Sequence, residues 1–287
     1  MTCLSPPSSE PSPPLRQTRA MADLGYDQDF LGTTLEPPAA AGEDGDALDY
    51  THFTVCMHPA RRLAWWVAWN IDGLTLFPSD SISRSGERFK LDPRVPADAQ
   101  TGERAYDDND LDRGHVARRS DLLWGATLAE ARQAGSDSFF FTNITPQRAG
   151  FNQSGRGGVW GLLENAVLAL EGLEDRRVTL FAGPVLAEDD PVYRDIVQLP
   201  REHWKVVAYR IGGQVRLKAF LLTQSLDGLE SLTPEGFLDD FDTYQVSLDL
   251  LEERTGLDFT ALHGSAGQAE LRGVDPMLVT DPEQVTW

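Results

Sequence analysis

Apolar residues recur along this chain with two different periods. His52–His58 and Leu63–Asn70 gather β-branched and aromatic residues on either side of Pro59–Arg62, which predicts two strands joined by a turn. Val178–Gly183, Trp204–Tyr209 and Val215–Gln224 predict further strands, the last two linked through Gly212–Gly213 in a hairpin-like turn. Ser138–Thr142 predicts a short aromatic strand. A helical spacing runs instead through Leu122, Leu123, Ala126, Leu128 and Ala131, predicting a helix over Ser120–Ala134 with Ser120 or Asp121 as cap and Gly135 as stop. Val159–Leu170 and Tyr244–Thr255 predict two more helices, and Arg84–Val95 a polar loop closed by Asp92–Pro93. Strands and helices mix without steady alternation. The pattern predicts an α+β fold around a central, mostly antiparallel sheet flanked by helices.

The ends differ from the middle. Residues 1–22 are rich in Pro and Ser and nearly empty of large apolar side chains, so they predict a disordered leader. Met21 offers an alternative start. Residues 23–50 predict an extended segment, 51–260 one domain, and 261–287 a tail. No internal repeat is present.

Composition narrows the picture little. The 287 residues are 41% hydrophobic and 24% charged, ordinary for a globular protein with a sizeable core. Two cysteines, Cys3 and Cys56, make no disulfide framework and fit a reducing compartment. The longest apolar runs fall short of the roughly 20 residues of a spanning helix. The N-terminus shows no secretory signal, so the expected location is cytoplasmic and no membrane partner is expected. The net charge of −20 lowers the prior for a polyanionic ligand. It does not exclude one, because exposed charges more than about 8 Å apart are largely screened at physiological salt.

Two stretches carry candidate chemistry. In Leu111-Asp112-Arg113-Gly114-His115, an imidazole of ordinary pKa about 6.5 stands beside a cation suited to phosphate and a glycine that lets backbone approach a ligand. In Asn143-Ile144-Thr145-Pro146-Gln147, Phe151-Asn152-Gln153 and Trp160 to Glu164, amide and carboxylate oxygens suit a hard cation that keeps several waters. Taken singly, each has a plainer account. A His beside an Arg is more often a surface or core residue, Asn usually serves a turn, and Glu164 fits a solvated helix position. Five arginines (Arg113, Arg118, Arg119, Arg148 and Arg156) fall in or beside these segments, whereas lysine is confined to Lys90, Lys205 and Lys218. The other histidines show no spacing that suggests a zinc site, and the paired aromatics read as core.

In their order along the chain, Asp112-Arg113-Gly114-His115, Asn143 to Gln147, Asn152, Trp160 and Glu164 resemble the DNA/RNA non-specific endonuclease family of the ββα-metal superfamily. Gly86 to Pro93 resembles the family's arginine segment, and Phe181–Val185 and His203–Val207 its later core strands. The resemblance implies a ββα-metal nuclease fold and hydrolysis of DNA and RNA backbones without sequence preference. It implies His115 as general base, the Asn143 segment orienting its ring, and Arg88 stabilising charge on the phosphate. It further implies Asn152 as direct ligand of one divalent cation, Mg²⁺ or Mn²⁺, Glu164 holding that cation's waters, and products with a 5′-phosphate. Arg113 is placed at substrate phosphate, Asp112 and Gly114 in structural support, and a homodimer is compatible with the family; Arg156, in the loop that departs from the family, either reaches substrate phosphate or is merely solvated. The glycine-rich Gln153–Val159 is longer than in the best-known members. Two other readings keep the same scaffold: a catalytically silent nucleic-acid-binding protein, and a phosphodiesterase for a smaller nucleotide.

Overall fold

The computed structural model describes residues 24–40, 45, 47–58, 60–168, 176–226, 242–265, 276–280 and 285. The predicted leader over 1–22, Met21, and most of the tail after 265 lie outside the described residues.

Eight strands form one antiparallel sheet. In chain order they are β1 (Ala47–Tyr50), β2 (Phe53–His58), β3 (Leu63–Asp72), β6 (Arg177–Pro184), β7 (Glu202–Ile211), β8 (Gln214–Thr223), β9 (Thr243–Val246) and β10 (Met277–Leu278). They lie in the order β10-β9-β8-β7-β6-β3-β2-β1. Two strands numbered between, β4 (Leu111–His115) and β5 (Ile144–Arg148), pair only with each other. The helices are α1 (Leu128–Asp137), α2 (Ala149–Asn152), α3 (Val159–Leu168), α4 (Leu248–Thr255) and α5 (Thr260–Ser265).

Alternation of side chains along each strand gives the sheet two faces, and both are covered. Val67, Trp69, Leu180, Ala182, Val207 and Tyr209 meet Ala134 of α1 and Trp160, Leu163 and Val167 of α3. The neighbouring positions Ala68, Phe181, Trp204, Val206 and Ala208 meet Leu248 and Leu251 of α4, Leu262 of α5, and Phe30, Leu31 and Leu35 of the N-terminal segment. Burial on both sides explains why β3 reads Leu-Ala-Trp-Trp-Val-Ala-Trp rather than as a clean alternation. The predicted α+β class, with helices flanking an antiparallel sheet, is what the chain adopts.

Three predicted elements differ. Arg119–Leu122 is a 3-10 turn, and α1 starts only at Leu128, where the Thr127 side chain caps it by accepting the Glu130 N–H. It runs on through Gly135 to Asp137. Ser138–Thr142 is not a strand: Phe141–Asn143 is a 3-10 turn, and the contact with the loop is a single bridge between Lys90 and Phe140. Three successive phenylalanines point to different sides here, with Phe139 and Phe141 buried and Phe140 against Tyr50. Tyr244–Val246 belongs to β9, and Ser247 caps α4 by accepting the Leu250 N–H. The last two residues of the predicted helix 159–170 lie outside the described residues.

The loop over 84–95 is fixed at its far end by Asp92, which is 1% exposed. Its carboxylate accepts hydrogen bonds from the Tyr50 hydroxyl (2.5 Å) and from the backbone and guanidinium of Arg94 (2.8 and 2.7 Å). Gln100 brackets the same residue through the Asp92 N–H and carbonyl, both at 2.8 Å. Burial works to raise the Asp92 carboxyl, but the bonds from Arg94 and Tyr50 outweigh it and hold it below the ordinary carboxylate range. A depressed carboxyl stabilises the fold above its unfolded pKa, and that contribution is lost as pH falls through the folded value. Asp92→Asn is therefore expected to cost about 1–3 kcal/mol at neutral pH, as for hydrogen bonds to charged groups. Urea unfolding at pH 7 and at pH 3 checks this, with the gap between variant and wild type closing at the lower pH.

Candidate active site

His115 ends β4, directly opposite Ile144 of β5. The strand pair brings the two candidate stretches together across 28 intervening residues. Gly114 faces Thr145 in the register, and a Cβ built on it would lie 2.0 Å from Gln147 Oε1. Glycine is required there because the Gln147 side chain lies against the backbone.

Asn143 is fully buried and serves the backbone. Its Oδ1 accepts from the Ala117 N–H at 2.9 Å, its Nδ2 donates to the carbonyls of Ala117 (3.0 Å) and Ser138 (3.1 Å), and its carbonyl accepts from the Val116 N–H at 2.9 Å. It thus clamps the turn that follows His115. The expected hydrogen bond from the Asn143 segment to the ring is not made; the Asn143 carbonyl accepts from Val116 and the ring Nε2 has no partner among the described residues. Instead the imidazole packs between Phe89 and Phe139, at 5.6 and 5.4 Å between ring centres. Its Nε2 is enclosed without a hydrogen-bond partner among the described residues, so the ring meets the adjoining cavity through Nδ1.

That cavity holds about 440 Å³ and is lined by Arg84, Phe89, Arg113, His115, Asn152 and Glu164, with Arg118 and Arg119 at its side. Burial, and then the positive charges of Arg84, Arg119 and Arg118, push the His115 imidazole down to about 3. The ring is therefore uncharged at neutral pH.

Asn152 is the last residue of α2. Its Nδ2 donates to Asp112 Oδ2 at 3.0 Å, and Gln153 Nε2 donates to the same oxygen at 2.7 Å. A carboxylate only accepts, so Asp112 fixes the amide with Nδ2 inward and Oδ1 turned away from Asp112. α3 then docks closely on this turn: a Cβ on Gly161 would lie 2.7 Å from the Asn152 carbonyl oxygen. One turn further along α3, Glu164 is buried at the cavity wall. Its Oε1 lies 3.6 Å from Lys205 Nζ and its Oε2 3.5 Å from Arg118 Nε. Burial raises the Glu164 carboxyl, against the pull of Lys205 and Arg118. Burial, with the Glu164 charge beside it, lifts Asp121 to about 7.

Two residues singled out in the sequence sit elsewhere. Arg88 is exposed and does not line the cavity, whereas Arg84 does, its guanidinium 5.5 Å from the Phe139 ring centre. The pairing of Lys90 with Phe139 and Phe141 turns Phe89 toward His115, and the neighbouring Arg88 therefore points outward. Arg156 is exposed in the 3-10 turn Ser154–Arg156 and is likewise not among the lining residues. Arg113 does line the cavity, but a two-pronged ion pair ties it to Glu103.

An amide oxygen and a carboxylate beside a polar cavity are hard donors, few in number. They fit a divalent cation such as Mg²⁺ that keeps most of its waters. Asp249, Glu252 and His263 form a separate cluster of metal-capable side chains on α4 and α5, where His263 ion-pairs with both acids at 3.4 and 3.5 Å. No helix among the described residues is long and apolar enough to cross a membrane.

Comparison with known proteins gives the family. The family model described as DNA/RNA non-specific endonuclease matches residues 32–263. The chain belongs to the DNA/RNA non-specific endonuclease family. The nuclease of Serratia marcescens is 30% identical over 241 residues, covering 79% of this chain and 80% of that protein. An uncharacterised protein of Sinorhizobium fredii, y4fB, is 35% identical over 205 residues, which span 64% of this chain but only 30% of that longer protein. A solved structure of EndoG in complex with EndoGI is similar with a TM-score of 0.58 at 19% identity, covering 75% of this chain and 85% of that one, which supports the fold. Like the other members of this endonuclease family, the chain is a nuclease, and the family is generally dependent on divalent metal.

The low value of the His115 imidazole is directly measurable. Its ring proton signals, identified by their loss in His115→Ala, are expected to stay constant by NMR from pH 8 down to pH 5. A midpoint near 6.5 would contradict the sheltered, cation-flanked setting.

Proposed function

We propose that this nuclease cuts phosphodiester bonds within DNA and RNA without sequence preference, with His115 as general base and Asn152 and Glu164 as the metal-holding pair. The observation that carries this reading is the single cavity that His115, Asn152 and Glu164 line together.

The Asn152 Oδ1 would hold one Mg²⁺ or Mn²⁺ directly, and Glu164 would hold its waters. The chemistry such an ion supplies when bound is stabilisation of charge on the leaving 3′-oxygen. The remaining work falls to this chain's own residues. His115 Nδ1 takes a proton from the water that attacks phosphorus, and the product keeps the phosphate on its 5′ end. Phe89 and Phe139 hold the ring and keep bulk water from its other nitrogen. Arg84 stabilises charge gathering on the phosphate oxygens, the role the family resemblance implied for Arg88. Arg113 binds phosphate after exchanging Glu103 for it, since a guanidinium fork matches either group. Contacts of this kind read the backbone alone, which accounts for a lack of sequence preference.

Supercoiled plasmid tests the reading. Wild type is expected to nick and linearise it with Mg²⁺ or Mn²⁺ but not with chelator, and His115→Ala to lose about 10²–10⁴-fold in rate while still binding DNA. Equal losses of binding and rate in His115→Ala would remove the base assignment. Cleavage of short dinucleotides but not plasmid would move the function to a smaller phosphodiester. The two arginines separate in the same assay: Arg84→Ala is expected to lower the rate about 10²-fold, as for loss of one charge-stabilising donor. Arg88→Ala is expected to stay within a few fold of wild type, and the opposite ranking would return the role to Arg88.

A further inference from the structure

Lys205 lies on the sheet face beneath the cavity, and none of its surface is exposed. It projects from the middle of β7 on the same side as Val207 and Tyr209. Lysine is almost never fully buried unless it is paired. Its ammonium sits 3.8 Å from the ring centre of Trp160 and 5.6 Å from that of Trp69. It has no hydrogen-bond acceptor among the described residues, and the nearest carboxylate oxygen in an ion pair is Glu164 Oε1 at 3.6 Å. The other buried acid close by, Asp121, accepts instead from Trp69 Nε1 at 3.2 Å.

Stability alone does not explain such a residue. An apolar side chain of similar length among two tryptophans commonly serves a core as well as or better than a buried charge. The placement has a geometric consequence, however. Trp160 and Glu164 are four residues apart on α3 and so share one helix face. Lys205 meets that face at both points, ring and carboxylate, while Arg118 holds the other carboxylate oxygen from the cavity side. One oxygen of Glu164 is thereby directed into the protein and the other toward the cavity.

We propose that Lys205 is a positioning residue that holds Glu164 in the orientation needed to receive the waters of a bound divalent cation. This rests on the placement of Glu164 at the metal site given above. Groups behind metal ligands typically contribute 10–100-fold to metal affinity or activity when removed.

The test measures Mn²⁺ binding to metal-free full-length protein by electron paramagnetic resonance, for wild type, Lys205→Met, Glu164→Gln and the double variant, with circular dichroism to confirm folding. Lys205→Met is expected to weaken Mn²⁺ binding about 10-fold or more, and kcat to fall with KM for DNA little changed. Because Lys205 acts through Glu164, the double variant is expected to bind no worse than Glu164→Gln alone. A purely structural lysine would lower the melting temperature and leave the Mn²⁺ affinity where it was, and that outcome overturns the proposal. So does full additivity of the two substitutions. If Glu164→Gln itself binds Mn²⁺ as wild type does, the metal-site reading of Glu164 fails and the role of Lys205 fails with it. Weakened binding in Glu164→Gln with wild-type binding in Lys205→Met sinks the lysine alone. Should Lys205→Met not fold, Lys205→Gln, which keeps a polar tip without charge, carries the same expectation.

Discussion

The pairing of β4 with β5 is the constraint on which the site depends. These strands belong to no larger sheet, so their order comes from each other and from what they press against. A two-stranded ribbon alone is marginal in water. Here Asn143 lends a pair of side-chain bonds to Ala117, which continues the ladder beyond His115 by another route. At its other end, Asp112 joins the ribbon to the Asn152 turn through two amide donors. One short ribbon therefore fixes the histidine, the amide and, through the close docking of α3 at Gly161, the carboxylate. A change in its register by one residue would turn His115 away from the cavity.

Charge around this ribbon is arranged in layers. Guanidiniums and Glu164 face the cavity, Asp121 lies buried beside Glu164, and Lys205 sits against the inner oxygen of Glu164. Opposite charges in neighbouring positions partly offset one another, which helps these ionisable groups stay inside. The arrangement also sets the chemistry. Burial, helped by the cations on the near side, keeps His115 neutral.

Much of this was legible in the sequence, for identifiable reasons. His115, Asn152 and Glu164 lie in short segments whose residue types and order carry the resemblance, and the structure brings all three to one cavity. The sheet was legible because its strands are long and strongly apolar. What escaped was decided at long range. Whether Arg84 or Arg88 turns inward depends on Lys90 pairing with a turn some 50 residues away and on Asp92 closing against Tyr50, neither visible in the local pattern. The aromatic run at Phe139 has strand propensity, but the chain must reverse there to enter β5, so packing overrides propensity. Lys205 looked like one residue of a core strand; only its burial against Trp160 and Glu164 sets it apart.

The overall charge of −20 and an arginine-lined cavity look opposed, yet they act over different distances. The acidic residues are spread over a large surface, where their repulsion of a polyanion fades beyond the screening length of about 8 Å. The arginines converge on one cavity, and there most of them already have partners: Arg113 with Glu103, Arg118 with Glu164, Arg119 with the Ile82 carbonyl. A phosphate entering this site therefore competes with internal acceptors for cations instead of meeting bare ones. Exchange of one anion for another costs little when the guanidinium fork is kept, and it favours the group with the more concentrated charge.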